Sequence, residues 1–580
     1  MKKLFHEKYK RQIFLQAVAL KAKELPVLTE ELFAVFEKTG NRLEYENVYF
    51  TRRKYLAVFG MAALVFGRED DISKLSEVIA SVCQEECWAL PAHVNRREDA
   101  DWRLTVDLFA AETAQTLAEI ICFVNSQLPE EKRLQEALCD RVHTEIERRV
   151  LIPFFTSEPN YGCWECADHN WNAVCSGAIG SVCIYLMEGK EEERLNKCLE
   201  RLCHSLAYYL EGFKEDGACM EGIGYFTYGM TYYVGFAEQL LRYSKGKINL
   251  FENEKLRRIA EFQQKMYFSG GQTVSFSDGE KQAKFRMGLT SFLANKYDSV
   301  TIPEDRLAAD LTSDACYRFM GLLRDYLWRK EIKEQGNIAN DRSRHDVFPC
   351  AQWSICETNS GVGFAIKGGD NGEAHNHNDV GSFLYIYNGE QLIADLGAGE
   401  YTKEYFGTGR YEILCNSSMG HSVPNIDGKL QQVGKEYGTS LFEADGAGYT
   451  KLEFGKAYPV GIVNSLTRET AFDLKTGELM VTDSYELPKG VRRFTEQLVT
   501  QGQVKIEWTQ EGSTISITKG DSSCEVILPA ELHHLYSMDE VHTNHEGEAE
   551  IVRLIRWDVF LEPGQENQGS TWFKIIPMKN

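Results

Sequence analysis

The sequence predicts a multidomain protein in which a helical part is followed by a part built of β-strands. The chain has 580 residues, which is several times the usual length of one domain. Apolar residues recur with the period of a helix as far as about residue 345. From Cys350 onward, short runs rich in β-branched and aromatic residues alternate with turn signals. We therefore predict a helical domain at residues 1–345, an antiparallel β domain at residues 346–580, and a linker in the polar stretch 333–344.

The spacing of apolar residues defines the individual elements of both parts. Helices are predicted where apolar side chains fall at i, i+3, i+4 and i+7. The spacing of these helices indicates antiparallel helical hairpins, and an array of such hairpins closes into a ring or curves into a solenoid. In the second part, Asn388-Gly389 and Asp427-Gly428 are typical hairpin turns. The predicted helices include 102–118, 133–150, 172–187, 192–213, 229–245 and 253–268, and the predicted strands include 361–367, 382–387, 391–395 and 478–485.

Composition and charge exclude several classes of protein. The net charge of -22 argues against a nucleic-acid partner, which requires a basic surface. No apolar run approaches the roughly 20 residues needed to cross a bilayer, so we expect no membrane partner. The basic N-terminus favours an amphipathic helix over a secretion signal, because Gln16, Lys21 and Lys23 interrupt its apolar stretch. Sixteen scattered cysteines also fit a cytoplasmic protein. The sequence leaves open whether the chain forms a homo-oligomer.

The segment His375-Asn376-His377-Asn378-Asp379 is the richest in polar chemistry. Two imidazoles, two carboxamides and a carboxylate lie within five residues, which a packed sheet does not tolerate without a purpose. The alternative is a polar turn that leads into a strand. In an extended strand, residues two apart share a face, so we expect His375 and His377 to point the same way. The segment is the first candidate for a functional site.

A metal site is predicted near the same segment. Asp395 lies in the apolar run Leu392–Leu396, where a carboxylate needs a partner, and His421 follows in a polar loop. With His377, these residues form a plausible ligand set for zinc or a similar divalent ion. The alternative is that Asp395 only accepts backbone hydrogen bonds. A hairpin turn at Asn388-Gly389 would pair Asp395 with a position on the preceding strand that lies roughly 16 Å from His377, at about 3.3 Å per residue of extended chain. The ligand set therefore requires the chain to fold back at Gly381.

Two loops of the helical part also carry polar and aromatic side chains. Residues 161–175 combine aromatic rings with Asn170 and Asn172, a mixture that suits the apolar faces and hydroxyl rims of sugars. Residues 215–233 contain several tyrosines, of which Tyr225 follows a glycine-rich acidic loop. We expect the Tyr225 hydroxyl to face a cleft, whereas Tyr228 and Tyr233 are predicted to pack between helices.

Five motifs in this order resemble those of the heparinase II/III-like polysaccharide lyases. They are DHNWNAVCSGAIG (168–180), EDGACMEGIGYFTYG (215–229), HNHNDVGSF (375–383), IADLGAGEY (393–401) and NSSMGHSVPNIDGKLQ (416–431). The resemblance covers about residues 90–490, and so both parts of the chain. It implies an incomplete α/α toroid followed by an antiparallel β-sandwich domain, with the active site in the cleft between them.

The resemblance also implies an activity, the β-elimination of uronate-containing glycans. Asn170, assisted by His169, corresponds to the group that neutralises the substrate carboxylate. His375 and Tyr225 correspond to the acid and base pair, with Tyr225 the expected acid and either residue open as the base. Among the remaining positions, His377, Asp395 and His421 match the metal ligands of some members, where the ion, expected to be zinc, supports the site.

The substrate implied by the resemblance is an acidic polysaccharide or oligosaccharide. Arg410 falls where the family often has a cation in the substrate cleft, although a surface ion pair is an open alternative. Tyr232 lies about two helical turns after Tyr225 and is expected to line the same cleft. Trp171 stands where some members have a histidine, which favours glycosaminoglycans such as heparan sulfate, hyaluronan or chondroitin over alginate. Without a recognised secretion signal, imported oligosaccharides are the expected substrates.

Other functions remain open at the level of sequence. The chain could act on alginate or another uronate oligosaccharide. A glycoside hydrolase on an α/α toroid requires two carboxylates that flank the bond, and Glu221 and Asp216 are the candidates. A third alternative is a non-catalytic glycan-binding or metal-stabilised protein.

Overall fold

The computed structural model describes residues 2–158, 164–329, 343–373, 375–509, 512–529, 534–562, 564 and 566–578. Residues 161–163 of the aromatic loop and residues 333–342 of the predicted linker lie outside this set. The chain forms two compact units that do not follow a single boundary along the sequence. A helical unit contains residues 1–213, 225–260 and 284–333, and a sheet unit contains residues 214–224, 261–283 and 334–580. Two short segments that the sequence analysis assigned to the helical domain therefore pack with the sheets.

The predicted helices are present, with ends that shift by a few residues. The polar face of α10 carries Glu and Arg side chains, while Leu195, Leu199, Leu202 and Leu206 are buried along the other face. The α-helices of the described residues are α1 (Lys2–Lys21), α2 (Glu30–Phe33), α3 (Val35–Thr39), α4 (Leu43–Phe66), α5 (Glu69–Val82), α6 (Leu108–Glu119), α7 (Glu136–Ile146), α8 (Ile152–Thr156), α9 (Asn170–Met187), α10 (Glu192–Glu211), α11 (Ile223–Tyr243), α12 (Glu254–Lys265), α13 (Met287–Lys296) and α14 (Phe319–Trp328).

Helix α9 is apolar on nearly all sides because it is buried within the helical unit. Two glycines allow helix α11 to approach it closely. A Cβ atom on Gly177 would lie 2.7 Å from the carbonyl oxygen of Tyr232, and one on Gly180 would lie 2.3 Å from the ring of Phe236. Glycine is therefore required at both positions by packing. This packing fixes the start of α9, where Asn170 lies.

The second part of the chain forms antiparallel strands, as predicted. Several strands show alternating burial, because one face of each sheet packs against a core and the other is exposed. The strands are β1 (Arg344–Phe348), β2 (Trp353–Glu357), β3 (Gly363–Lys367), β4 (Asp370–Asn371), β5 (Phe383–Tyr387), β6 (Glu390–Ile393), β7 (Asn425–Ile426), β8 (Gly434–Gly438), β9 (Leu441–Ala444), β10 (Tyr449–Glu453), β11 (Ser465–Phe472), β12 (Leu479–Leu487), β13 (Arg493–Thr500), β14 (Gln503–Thr509), β15 (Gly512–Lys519), β16 (Ser522–Ile527), β17 (Leu535–Thr543), β18 (Ala549–Phe560) and β19 (Asn567–Met578).

The strands assemble into two large sheets and two smaller ones. One sheet has the order β1-β2-β3-β5-β6, and the largest has the order β14-β15-β16-β19-β12-β11-β10-β9. A third sheet pairs β17-β18-β13-β7, and β4 pairs with β8. Their shared core is made of large apolar side chains such as Phe364, Phe383, Trp557 and Phe573. The loop that carries His375 and His377 enters this framework immediately before β5.

No helix in the described part of the chain has the length and apolar character needed to cross a membrane.

Candidate active site and metal cluster

The segment 375–379 is a loop, and the prediction that it is an extended strand is wrong. Strand β5 begins only at Phe383. His375 has a φ of +56° and Gly381 a φ of +88°, so the backbone turns at both positions. At Gly381 the turn also depends on space, because a Cβ would lie 2.8 Å from the ring of Phe454. The chain thus folds back at Gly381, as the ligand set predicted from the sequence requires.

This fold-back creates a buried cluster of imidazoles and carboxylates. Ligand atoms of His377, Asp379 and His421 lie within 4.8 Å of one another, and all three residues are fully buried. Oδ2 of Asp395, also buried, lies 3.7 Å from Nδ1 of His421. The structure thus brings the predicted His377, Asp395 and His421 together, and it adds Asp379, which sequence analysis did not include in the ligand set.

The hydrogen bonds of the two histidines prepare them to bind a cation. Nε2 of His421 lies 2.7 Å from the carbonyl oxygen of Cys415, and Nε2 of His377 lies 3.1 Å from a carboxylate oxygen of Asp278. Because each acceptor needs a hydrogen, each ring must carry its proton on Nε2 and present the lone pair of Nδ1. Within the described residues, both Nδ1 atoms and the Oδ2 atoms of Asp379 and Asp395 lack a hydrogen-bond partner.

The charges around these orphaned atoms also fit a metal ion. Burial lowers the pKa of His421 although Asp379 and Asp395 oppose the change, so the ring is neutral, as a metal ligand must be. Burial raises the pKa of Asp395, and the nearby carboxylate of Asp379 acts in the same direction while His421 opposes it. Lys367, itself buried, lies 2.8 Å from Oδ1 of Asp379 and supplies one positive charge. Two imidazoles with two carboxylates could hold a divalent cation.

Asp278 joins this cluster to His375. Its carboxylate oxygens lie 2.7 Å from Nδ1 of His375 and 3.1 Å from Nε2 of His377. The hydroxyls of Tyr401 and Tyr405 donate to the same carboxylate. Burial would raise the pKa of Asp278, but the hydrogen bonds to the two histidines hold it well below its usual range. The side chain of Asp278 is fully buried, so these contacts replace water completely.

His375 is a partly exposed member of this network. Its side chain is 21% exposed, and its Nε2 lies 3.7 Å from Oε2 of Glu221. Burial alone would lower the pKa of His375, but the hydrogen bond and charge of Asp278, together with Glu221, raise it above the usual value. A partly exposed imidazole held at Nδ1 by a buried carboxylate, with Nε2 on the opposite side of the ring, is the arrangement of a general base or acid.

Arg410 lies beside the same network. Its guanidinium donates to the carbonyl oxygens of Asn376 (3.0 Å) and Tyr405 (3.1 Å) and lies 3.6 Å from Oδ2 of Asp278. The carbon of the guanidinium group lies 4.5 Å from the centre of the Tyr405 ring. These contacts differ from the surface ion pair considered at the level of sequence. They fix the loop around Asn376 and leave the predicted role in substrate binding to be tested.

Arg468 holds the two loops that carry Asp379 and His421. Its guanidinium donates to the carbonyl oxygens of Gly381 (2.8 Å) and Ser422 (2.7 Å), which follow Asp379 and His421 in the chain. The backbone N–H of Asn378 also donates to the carbonyl of Asn416, which links the same two loops directly. Both loops therefore keep a fixed separation.

In the helical unit, Asn170 begins helix α9 and is buried, and His169 is its N-cap residue. Trp171 is half-buried, and its ring centre lies 4.8 Å from that of His93. Nδ1 of His93 lies 2.7 Å from Oδ2 of Asp107, so a second Asp–His pair stands beside the Asn170 motif. His93 is not among the site residues predicted from the sequence.

The two tyrosines predicted to share a cleft differ in exposure. Tyr225 lies in the first turn of α11 and is half-buried. Tyr232 is only 1% exposed and packs edge-on against Tyr228, so it does not fit the predicted position on a cleft wall. Two helical turns return a side chain to nearly the same face, but here that face is covered by other helices.

Comparison with known proteins gives structural matches alone. No family model matches the sequence, and neither does any curated protein. The solved structure of heparan sulfate lyase HepC from Pedobacter heparinus matches with a TM-score of 0.60 and 11% identity over 100% of this chain and 88% of that one. A heparinase III matches with a TM-score of 0.56 and 13% identity over 100% and 90%. A chondroitin AC lyase from Streptomyces coelicolor A3, in complex with chondroitin sulphate, matches with a TM-score of 0.55 and 10% identity over 98% and 79%.

The chain has the heparinase-like polysaccharide lyase fold. The predicted class, an incomplete α/α toroid followed by an antiparallel β-sandwich domain, is confirmed.

The carboxylates of Asp216 and Glu221, considered for a glycoside hydrolase, are not arranged as a catalytic pair. Asp216 accepts hydrogen bonds from the backbone N–H groups of Ala218, Cys350 and Ala351. These bonds use its carboxylate to fix backbone. Glu221 lies beside His375 and faces an imidazole, whereas a hydrolase requires a second free carboxylate across the bond.

Proposed function

We propose that the protein is a polysaccharide lyase that cleaves uronate-containing glycans by β-elimination, with glycosaminoglycans or their oligosaccharides as substrates. The observation that carries the proposal is the pair formed by His375, whose side chain is 21% exposed, and the buried Asp278, which also contacts His377 of the metal-type cluster. The fold adds support, since the structures that it matches include a heparan sulfate lyase and a chondroitin AC lyase.

The reaction sets three requirements. The C5 proton of a uronate lies α to a carboxylate, so it is too weakly acidic for an ordinary base while that carboxylate keeps its charge. The carboxylate must be neutralised, a base must then take the C5 proton, and an acid must protonate O4 as the C4–O4 bond breaks. The electron pair of the C5–H bond becomes the C4–C5 double bond of the product.

We assign these roles to the residues that the family resemblance implies. Asn170, with His169, neutralises the substrate carboxylate. His375 accepts a proton at Nε2, because Asp278 holds Nδ1 and stabilises the imidazolium that forms. Tyr225 donates the proton to the departing oxygen, and it also serves as the base for substrates whose stereochemistry places both atoms on its side.

The whole chain has a net charge of -22 and repels an acidic substrate, so binding requires local cationic side chains. Aromatic rings can add contacts to the sugar. Arg410 is the candidate for a carboxylate or sulfate, and Trp171 for the apolar face of a sugar ring.

We propose zinc as the metal, held by His377, His421 and the carboxylates of Asp379 and Asp395. When bound, the ion would fix the loop that carries His375 and neutralise the buried carboxylates. Two imidazoles with carboxylates are a donor set that zinc accepts readily.

The decisive experiment is to incubate the purified protein with heparan sulfate, hyaluronan, chondroitin and alginate, each as polymer and as oligosaccharide. Unsaturated uronate products, seen as new ultraviolet absorbance, support the proposal. Saturated products with a new reducing end would support a glycoside hydrolase instead. If every substrate remains intact, the lyase proposal fails, and binding without turnover would favour a glycan-binding protein.

A further inference from the structure

Asp278 has an unusual position, because one carboxylate contacts two histidines with different proposed tasks. Oδ2 lies 2.7 Å from Nδ1 of His375, and Oδ1 lies 3.1 Å from Nε2 of His377. The two histidines are separated in the chain only by Asn376. Asp278 itself comes from the segment 261–283 and reaches them across 97 and 99 residues of sequence.

Each contact fixes a tautomer. An ionised carboxylate accepts hydrogen bonds and donates none, so both facing nitrogens must carry a hydrogen. The proton on Nε2 of His377 leaves its Nδ1 lone pair for the cluster with Asp379 and His421. The proton on Nδ1 of His375 leaves its Nε2 lone pair facing away from Asp278. One carboxylate thus determines which nitrogen of each ring keeps its lone pair.

The carboxylate is itself prevented from rotating. Tyr401 donates to Oδ2 at 2.9 Å, and the hydroxyl of the fully buried Tyr405 donates to Oδ1. The ring of Tyr401 packs edge-on against His545, at the end of the β17–β18 hairpin, with 4.5 Å between centres. Since both oxygens are held, Asp278 keeps the rings of His377 and His375 in a fixed relation to each other.

We propose that Asp278 is a positioning residue that couples the metal cluster to the orientation of His375. Cation binding at Nδ1 of His377 strengthens its Nε2–H bond to Asp278, and the fixed carboxylate holds His375 with Nε2 outward. The catalytic meaning of that orientation rests on the proposed function, but the coupling itself does not require turnover.

The first test measures zinc affinity in Asp278→Asn by competition with a chromophoric chelator. An amide offers one acceptor and one donor, so it cannot hold both rings in their native tautomers. We expect affinity to fall about 10- to 100-fold, the usual effect of losing a partner of a metal-bound histidine. Asp558→Asn is the matched control: Asp558 is buried in the sheet unit and lies 2.6 Å from Nδ1 of His534, yet neither residue belongs to the cluster. Its zinc affinity should match that of the wild type.

The second test follows the His375 ring directly by nitrogen NMR on protein labelled at histidine, with His375→Ala used to assign the signal. In the wild type, zinc should shift the His375 ring signals and sharpen the Nδ1–H tautomer. In Asp278→Asn this response should vanish. If Asp278→Asn does not fold, Tyr401→Phe, which removes one bond to Asp278, should weaken both the affinity and the response in the same direction.

Equal zinc affinity in the wild type and Asp278→Asn overturns the inference, as does a His375 signal in the wild type that ignores zinc, or a wild type that binds no zinc. Neither measurement depends on glycan cleavage. A protein that shows both effects but cleaves no uronate glycan therefore refutes the proposed function and supports the coupling.

Discussion

Arg468 and Asp483 form an ion pair that is completely buried within the sheet unit, with Nε of the arginine 2.8 Å from Oδ1 of the aspartate. The same guanidinium holds the carbonyl oxygens of Gly381 and Ser422 behind the metal cluster. Arg468 thus serves both the stability of the sheets and the separation of the two ligand loops.

Replacing Arg468 by Met should destabilise the protein strongly, because it leaves Asp483 buried without its partner. We expect a loss of about 3–5 kcal/mol in the free energy of unfolding, measured by denaturant titration. The double variant Arg468→Met/Asp483→Leu should recover only part of the loss, since the orphaned charge of Asp483 is gone but the buried Glu496, 3.4 Å from Arg468, still loses its partner. The double variant should still bind zinc more weakly than the wild type, because Gly381 and Ser422 lose their donor. A loss below about 1 kcal/mol in the single variant would contradict the assigned role of the pair.

Removing the metal should lower the melting temperature of protein purified with it. A ligand at 100 to 1,000 times its Kd stabilises a fold by about 3–4 kcal/mol, and this contribution disappears in a strong chelator. Elemental analysis before and after chelation identifies the ion. His421→Ala should melt at the same temperature with and without chelator; a persistent difference would place the ion elsewhere.

Asp379 and Asp395 can be separated by substitution. We expect Asp379→Asn to weaken zinc binding at least as much as Asp395→Asn does, because Asp379 lies within 4.8 Å of both ligand histidines. Chelator competition on the two variants measures this directly. If Asp379→Asn binds zinc like the wild type while Asp395→Asn does not, Asp379 only pairs with Lys367.

Tyr225→Phe and His375→Ala should each reduce glycan cleavage by about 10²- to 10⁴-fold, the usual contribution of a general acid or base. Tyr232→Phe is the matched control, since Tyr232 is a tyrosine of the same helix but is buried. Its rate should stay close to that of the wild type, measured as the appearance of unsaturated product. Full activity in Tyr225→Phe would remove Tyr225 from the mechanism.

Stability should fall as the pH drops from about 6.5 to 4 because of His542. Burial, reinforced by the charge of Lys281, lowers the pKa of His542 to about 4 although Glu550 opposes the change. The unfolded chain therefore binds a proton in this interval that the folded chain does not, and stability is lost as the pH falls. The loss is on the order of 3 kcal/mol at most, from about 1.4 kcal/mol per pH unit. His542→Gln should show a flatter dependence in unfolding midpoints measured at pH 4.5 and 7; an unchanged slope would exclude His542 as the source.

Much of the fold could be predicted from the sequence because local patterns are strong. The apolar stripe of α10 and the alternation in β12 are direct consequences of helix and strand geometry. His377, Asp395 and His421 could also be identified, since such residues in apolar surroundings need a partner.

The remaining features depend on contacts that sequence patterns do not encode. Asp278 was missed because it lies 97 residues before His375, and its only local signal is a polar run with a glycine, Ser275 to Glu280. Asp379 is absent from the predicted ligand set because that prediction treats the segment 375–379 as extended, whereas positive φ at His375 redirects the backbone. Tyr232 was misplaced because helical periodicity gives the face of a helix but not what covers it.

The sheet unit is not continuous in sequence, and this determines which parts of the chain are needed to form the site. A fragment that begins at residue 346 would contain every strand from β2 onward, yet it would lack Asp278 and Glu221, which come from the short segments 214–224 and 261–283. In such a fragment, the imidazoles of His375 and His377 would lack the carboxylate that fixes their tautomers. Gene fusion or shuffling at the apparent helix-to-strand boundary would therefore separate the histidines from their carboxylate, and during synthesis on the ribosome Asp278 must wait for about 100 further residues before it meets its partners.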